Sequence, residues 1–220
     1  MKNQKKVFSK KKSYSKEHKK KTIKLIAFSG ILVALILISS IFDNFFIVFP
    51  TVNWLKLSFS YLFLWVFLEI IGVYLVFLSS FIAVFLEIWF FHFSFVPFIG
   101  YLAKFLAYTI FIFTSFYILK FLNNFKKKYL KMSILLILLV LDTIFIALIL
   151  TFLNYILFIP IYRQQFPDVI NTIGMKAILS YTFVFNIIQF SLIFTFGYIL
   201  FFSHFQKVLH NLKKSTYNLK

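Results

Sequence analysis

The chain has 220 residues, of which 61% are hydrophobic and 23% aromatic, and its formal net charge is +18. A soluble domain does not need so much apolar sequence, whereas apolar runs of about 20 residues are typical of transmembrane helices. The chain contains no cysteine, which excludes disulfides, zinc–thiolate sites and thiol nucleophiles. The composition therefore predicts a multi-pass membrane protein. The excess of Phe, Lys, Ile, Asn and Tyr is typical of an AT-rich bacterial genome.

The basic residues are not spread evenly along the chain. Eleven of the 24 lysines and arginines lie within residues 1–24, and further clusters lie within residues 120–131 and at the C-terminus. Basic clusters beside apolar helices are topology signals and can contact anionic lipid headgroups. We therefore expect the chain to contact membrane lipid and to have no nucleic-acid partner.

Six apolar segments predict an all-α membrane protein with six transmembrane helices, at residues 22–41, 58–78, 79–91, 98–122, 132–159 and 178–203. The second and third are separated at Ser79 and Ser80, because a single helix would be too long for one span of about 20 residues. Residues 1–24 are polar and lysine-rich, so they are expected to form a disordered cytoplasmic tail. The transmembrane domain then occupies residues 25–205, and a basic cytoplasmic tail follows at residues 206–220.

The charges of the loops predict the orientation of this bundle. Six helices place both termini on one side, together with the loop between helices four and five, and these three segments are the basic ones. The loops on the other side contain only Lys56, Arg163 and Lys176, partly offset by Asp43 and Asp168. The positive-inside rule therefore favours an N-in, C-in orientation in a bacterial cell membrane.

Four charged residues fall in the interior of the predicted spans, where charges are unfavourable unless they are paired or functional. They are Glu69, Glu87, Lys104 and Asp142. Glu87 and Lys104 are predicted at similar depth, so either they form an ion pair or Lys104 contacts a ligand. Asp142 is predicted in the cytoplasmic half, where it could bind a neighbouring helix, contact a partner subunit or belong to a proton path.

Three amide side chains, Asn154, Asn186 and Gln189, are predicted to meet at one depth in the outer half of the membrane. Gln189 follows Asn186 by one helical turn on the same face. Amides both donate and accept hydrogen bonds, so the three suit a neutral heterocycle on which aromatic residues can stack. The alternative is interhelical hydrogen bonding that stabilises the bundle without a ligand.

The first helix carries the small residues Ala27, Gly30 and Ala34. Gly30 and Ala34 form a small-xxx-small pair, which lets another helix approach closely. That helix belongs either to this protein or to another subunit.

Five short motifs follow one another between residues 26 and 189: IAFSGILVAL, LKLSFS, PFIGYLAKFLA, LNYILFIPIY and FNIIQ. Through them the chain resembles the substrate-binding (S) components of energy-coupling factor (ECF) vitamin transporters, and most closely the riboflavin-specific branch. The third motif is similar to a P-x-G-E-L-A-N-F-L-A-like opening of helix four in that family. The fourth is similar to L-N-Y-x-x-x-x-P-x-Y, and the fifth to F-N-L-I-K.

The resemblance implies a six-helix bundle that captures a vitamin, riboflavin above all, from outside the cell. It would dock on a transmembrane T subunit driven by two cytoplasmic ATPases, and the loop at residues 42–57 would close its pocket. The family's riboflavin contacts correspond to Asn154 and Asn186. The face that docks on the T subunit corresponds to Ala27, Gly30 and Ala34. No resident cofactor is implied, since the vitamin is the transported ligand.

This chain departs from the family pattern at several positions. Gln189 replaces the lysine of F-N-L-I-K, and Tyr101 and Lys104 replace the pair in E-L-A-N. The acidic residue of the family's LKFDFSD-like run is also missing, which leaves Ser60 and Tyr61. Gln189 and Lys104 are therefore candidate ligand contacts too. Either the flavin contacts are rearranged or the ligand is another vitamin or small heterocycle.

An intramembrane enzyme and a ligand-free structural subunit are the alternative functions. An enzyme needs a nucleophile–base pair or metal ligands at depth, whereas the near-membrane histidines, His92 and His204, are predicted on opposite sides. The sequence has no HExxH, G-x-S-x-G or P-loop motif, so we expect neither catalysis nor a metal site. A structural subunit would lack a ligand pocket.

Overall fold

The computed structural model describes residues 2–43, 45–46, 48, 55–91, 95–122, 124–125, 128–165 and 173–202. Within these ranges the chain forms helices joined by short turns and contains no β-strand. The helices are α1 (Lys2–Asp43), α2 (Ser60–Ile71), α3 (Val73–Phe91), α4 (Phe95–Leu122), α5 (Lys128–Leu153), α6 (Ile159–Gln165) and α7 (Met175–Phe202). A π-helical turn, Asn154–Phe158, joins α5 to α6.

Five helical stretches in the described part of the chain are long and apolar enough to cross a membrane. They are Lys19–Asp43, Val73–Phe90, Phe98–Leu122, Leu130–Ile161 and Met175–Ile199. Their mean hydropathy lies between 1.8 and 2.9, which favours transfer from water into the bilayer. The chain is therefore an all-α, multi-pass membrane protein, as its composition predicts.

The second and third predicted helices are divided at a different place from the one expected. The break lies at Gly72, between α2 and α3, and not at Ser79–Ser80, which lie inside α3. Gly72 has a φ of 85°, a conformation that a residue without a Cβ adopts at little cost. The 12 residues of α2 extend about 18 Å, less than the roughly 30 Å of a hydrocarbon core. Six full spans and the N-in, C-in orientation therefore stay predictions.

The N-terminal segment also differs from the expected disordered tail. α1 is continuous from Lys2 to Asp43, so residues 2–21 extend the membrane helix. This stretch contains neither proline nor glycine, and lysine has a favourable helix propensity. The basic C-terminal tail, residues 206–220, lies outside the described residues.

The short helix α2 occupies the centre of the bundle. It packs against α1, α3, α4 and α7, and eight of its residues are buried. The ring of Tyr61 on α2 lies 5.0–5.1 Å from the rings of Tyr108, Phe111 and Phe190, with edge-to-face geometry in each case. Edge-to-face contacts are favourable beyond the apolar area that they bury, so these rings hold Tyr61 in one orientation.

α2 and α7 approach each other closely at Gly197. A Cβ atom on Gly197 would lie 1.7 Å from the ring of Trp65, so the indole occupies the space of the missing side chain. Trp65 also packs edge-to-face on Phe194, with ring centroids 5.5 Å apart. The glycine therefore sets the distance between these helices.

Candidate ligand-binding site

A cavity of about 530 Å³ lies between the helices. It is bounded by residues of α1, α3, α4, α5 and α7, by the π-helical turn and by the segment at residues 55–61. Its volume lies within the range of about 300–1,000 Å³ that is usual for small-molecule sites. All four residues predicted to contact a ligand, Lys104, Asn154, Asn186 and Gln189, line this cavity.

The first wall of the cavity is charged and is centred on Lys104. Its Nζ lies 3.0 Å from Oε2 and 3.1 Å from Oε1 of Glu87, so the predicted ion pair is present. Nζ also donates to the hydroxyl of Ser40 at 2.6 Å, and Ser40 donates in turn to Glu87. A weaker contact of 3.8 Å joins Nζ to Oδ2 of Asp43. This network joins α1, α3 and α4. Its central carboxylate, Glu87, is completely buried and has no contact with water.

The second wall is built of amides, and Asn154 supplies the first of them. Its Nδ2 donates to the backbone carbonyl of Leu150 at 2.8 Å. Asn154 begins the π-helical turn, in which the backbone N–H of Ile159 bonds to the carbonyl of Asn154, five residues back. The widened turn directly precedes Pro160, which has no N–H and whose ring excludes the carbonyl four residues earlier. Single π turns of this kind occur frequently at functional sites.

Asn186 and Gln189 complete the amide wall from α7. Both side chains are buried, with 5% and 4% of their surface exposed, and both line the cavity. Their spacing of three residues places them one above the other on a single helix face, as the sequence predicts. Oε1 of Gln189 has no hydrogen-bond partner among the described residues.

Two residues of the cavity wall were missed by sequence reasoning. Asp43 was counted only as a loop charge, yet it ends α1, is 7% exposed, and has one oxygen, Oδ1, without a hydrogen-bond partner in the described ranges. Tyr61 was noted only as a departure from the family pattern. The spacing of Ser40 and Asp43, one turn apart near the end of α1, is the signal that could have found the aspartate.

The loop that was predicted to close the pocket contributes Leu55 and Lys56 to the cavity wall, and Ser58, which follows the loop, lines it too. Two backbone bonds fold this segment back on itself, from Val48 N–H to the Leu55 carbonyl and from Leu57 N–H to the Phe46 carbonyl. Leu55 is buried and packs in one cluster with Phe185 of α7. Asn44, Pro50, Asn53 and Trp54, also expected in this loop, lie outside the described residues.

The predicted docking residues lie away from the cavity. Ala27, Gly30 and Ala34 are all exposed along one side of α1. A Cβ atom on Gly30 would meet nothing within 4 Å, so this side of the helix is uncovered. Packing of these small residues against another helix of the described bundle is therefore excluded at Gly30.

Asp142, the remaining buried carboxylate, is not part of the cavity wall. It is 6% exposed, lies beside Thr114 of α4, and has one oxygen, Oδ2, without a hydrogen-bond partner among the described residues. The part of the chain that is described contains no cluster of His, Cys, Asp and Glu able to hold a metal ion. His92 and His204 lie outside it.

Comparison with protein-family models, with curated proteins and with solved structures gives no match for this chain.

Proposed function

We propose that this protein is the substrate-capturing subunit of a vitamin importer of the energy-coupling factor type. The observation that carries the proposal is the meeting of Lys104, Asn154, Asn186 and Gln189 on one cavity of vitamin size. These residues come from three helices and are far apart in sequence. Amides that only stabilised the bundle would be expected to use all of their polar atoms on one another or on neighbouring helices. Asn154 instead bonds to its own helix, and Gln189, which is hydrogen-bonded to Tyr61 of α2, keeps an acceptor, Oε1, without a partner among the described residues.

The ligand is captured from outside the cell in this proposal. The chain crosses a bacterial cell membrane six times, with both termini in the cytoplasm, and the amide wall lies in the outer half of the membrane. α2 and α3 together form the second and third crossings, joined at Gly72. Leu55 and Lys56 line the cavity, and in this proposal they lie toward its outer end.

Binding combines hydrogen bonds with aromatic contact. The amides offer donors and acceptors to the polar edge of a heterocycle, and Tyr61, Tyr101, Phe158 and Phe185 in the cavity wall offer apolar and aromatic surface to its faces. Riboflavin is the first ligand to test, since the matched motifs are closest to the riboflavin-specific branch. Another vitamin is the second candidate, because Gln189 and the engaged Lys104 depart from that branch.

Transport requires partners, since this chain carries no P-loop motif. The uncovered side of α1 with Ala27, Gly30 and Ala34 docks on a T subunit, where small residues allow close helix contact. Two ATPases bound to that subunit supply the energy. The basic clusters at the cytoplasmic side contact anionic lipid headgroups.

Titration of the purified full-length protein with riboflavin tests the proposal, with quenching of flavin fluorescence as the signal. We expect saturable binding at micromolar riboflavin, lost in Asn186→Leu and retained in Thr195→Val, a matched substitution on an exposed part of α7. Absence of binding would overturn riboflavin as the ligand. Native mass spectrometry of freshly purified protein then identifies any other bound vitamin, and an empty protein would favour a structural subunit.

A further inference from the structure

Two residues of the cavity wall each carry a buried hydrogen-bond acceptor without a partner among the described residues. Oδ1 of Asp43 and Oε1 of Gln189 have no hydrogen-bond partner among the described residues. Both residues line the cavity, and both are more than nine-tenths buried. Buried polar atoms are nearly always hydrogen-bonded, so an unpaired acceptor destabilises the state in which it is found. A ligand that donates to these atoms would remove that penalty.

The cations of the cavity wall are, by contrast, already engaged. Lys104 has three N–H donors, and it uses them on Glu87 and Ser40 while facing Asp43 at 3.8 Å. Lys56 also lines the cavity and has an interaction of its own. A phosphate or carboxylate entering the cavity would therefore have to compete with Glu87 or Asp43 for a lysine.

Lys104 nevertheless affects how far the carboxylate of Asp43 is neutralised and hydrogen-bonded within the protein. Its ammonium lies closer to Glu87 than to Asp43, so it neutralises the first carboxylate and leaves the second with one open oxygen. The hydroxyl of Ser58 and the backbone amide of Phe59 lie beside the same carboxylate. These contacts hold Asp43 in place at the end of α1, and one of its carboxylate oxygens still has no hydrogen-bond partner among the described residues.

We propose that Asp43 and Gln189 form two acceptor subsites, so that the ligand is a neutral or cationic molecule with N–H or O–H donors at these points. This inference rests on the proposed capture function and narrows its substrate class. Ligands whose polar groups are phosphates or carboxylates are disfavoured, because they would have to compete with Glu87 or Asp43 for a lysine. Asp43 touches the ligand, whereas Lys104 is a positioning residue that acts through Asp43.

Matched pairs of vitamins that differ by one phosphate test the inference. The probes are riboflavin against riboflavin 5′-phosphate and pyridoxamine against pyridoxamine 5′-phosphate, titrated calorimetrically into the purified full-length protein. Native mass spectrometry of the freshly purified protein is the second measurement. We expect the unphosphorylated member of a pair to bind at least about tenfold more tightly, since the phosphate would approach Asp43 without a free cation.

Two substitutions test whether Asp43 and Gln189 are the residues that accept hydrogen bonds from the ligand. Asp43→Asn and Gln189→Met each preserve side-chain size, and each is expected to weaken binding of the donor ligand about tenfold. Asp142→Asn is the matched control, because Asp142 is equally buried and has one unpaired oxygen but lies outside the cavity wall. The Asp142→Asn variant is expected to bind the donor ligand as tightly as the unsubstituted protein does.

The possible outcomes separate this inference from the proposed function. A co-purified neutral or cationic molecule that both cavity variants bind more weakly supports it. Tighter binding of a phosphorylated member, a co-purified anion, or unchanged affinity in both variants overturns the acceptor subsites and leaves vitamin capture standing. A protein that carries no molecule and binds neither pair overturns vitamin capture, and the acceptor subsites with it.

Discussion

The ammonium of Lys104 lies 3.0 Å from the carboxylate of Glu87, and the two residues join α4 to α3 beside the cavity. Glu87 is completely buried, and both of its oxygens accept hydrogen bonds from this lysine. In a region without water, such a carboxylate depends on its partner for compensation of its charge. The pair therefore has a structural role, and it borders the cavity that Asp43 and the three amides also line.

Substitution Lys104→Met is expected to destabilise the protein by about 3–5 kcal/mol, because it leaves the charge of Glu87 buried and unpaired. Thermal unfolding of the purified protein in detergent measures the change. The double variant Lys104→Met, Glu87→Gln removes both charges and should recover most of the lost stability. A double variant no more stable than the single one would contradict this explanation.

Substitution Gly197→Ala is expected to destabilise the protein by about 1–3 kcal/mol, because the new methyl group would lie 1.7 Å from the indole ring of Trp65. Gly30→Ala is the matched control on another membrane helix, where nothing lies within 4 Å of the added atom. That change should be neutral or slightly stabilising, since alanine favours helix more than glycine does. Equal unfolding temperatures for the two variants would argue against the close packing at Gly197.

Substitution Gly72→Ala should destabilise the break between α2 and α3 by about 1–2 kcal/mol, because an L-residue is strained at a φ of 85°. The same measurement on Gly174→Ala, where φ is 83°, provides a second position with a positive φ. Both variants should unfold at lower temperature than the unsubstituted protein. A stability gain at Gly72 would indicate that α2 and α3 tolerate one continuous helix.

Substitutions Asn154→Leu and Asn186→Leu are each expected to reduce vitamin uptake in cells that depend on this protein. Each removes an amide from the cavity wall, and a lost hydrogen bond to a ligand reduces affinity about five- to tenfold or more. Thr195→Val, at an exposed position of α7, should leave uptake unchanged. Unimpaired uptake in both asparagine variants would favour a structural subunit.

Substitution Gly30→Leu is expected to impair uptake without impairing ligand binding. The added side chain projects from the uncovered side of α1, so ligand binding by the purified protein should be unchanged. Uptake should fall at least about tenfold, because a bulky residue prevents the close approach of a partner helix. Co-purification with the proposed T subunit checks the cause directly. Normal uptake with normal docking would remove Gly30 from the proposed interface.

Much of the architecture follows from local properties of the chain. Runs such as residues 132–159 are apolar enough to predict a membrane helix without knowledge of any contact. The shared helix face of Asn186 and Gln189 can likewise be predicted without knowledge of any contact, because it follows from their spacing alone. The Glu87–Lys104 pair could be proposed because membrane charges require partners and these two were predicted at one depth.

Other features were decided by contacts between distant residues. The break at Gly72 could not be distinguished from one at Ser79–Ser80, since both sequences are compatible with helix and only packing around α2 selects the positive φ of Gly72. The π turn at Asn154 was also missed, although Pro160 marked its neighbourhood.

Local sequence properties are sufficient to predict that this protein lies in a membrane as a bundle of helices, and they identify the polar residues inside it. Hydrophobicity and helical period are properties of short segments, so they can be recognised without knowledge of any contact. Which of those polar groups lack a partner depends on how the helices pack. Lys104 is engaged by Glu87 and Ser40, whereas Asp43 and Gln189 each keep an unpaired acceptor. This is because polar groups that are far apart in sequence compete for the same hydrogen-bond partners. Which groups become paired is therefore decided only when the helices pack together.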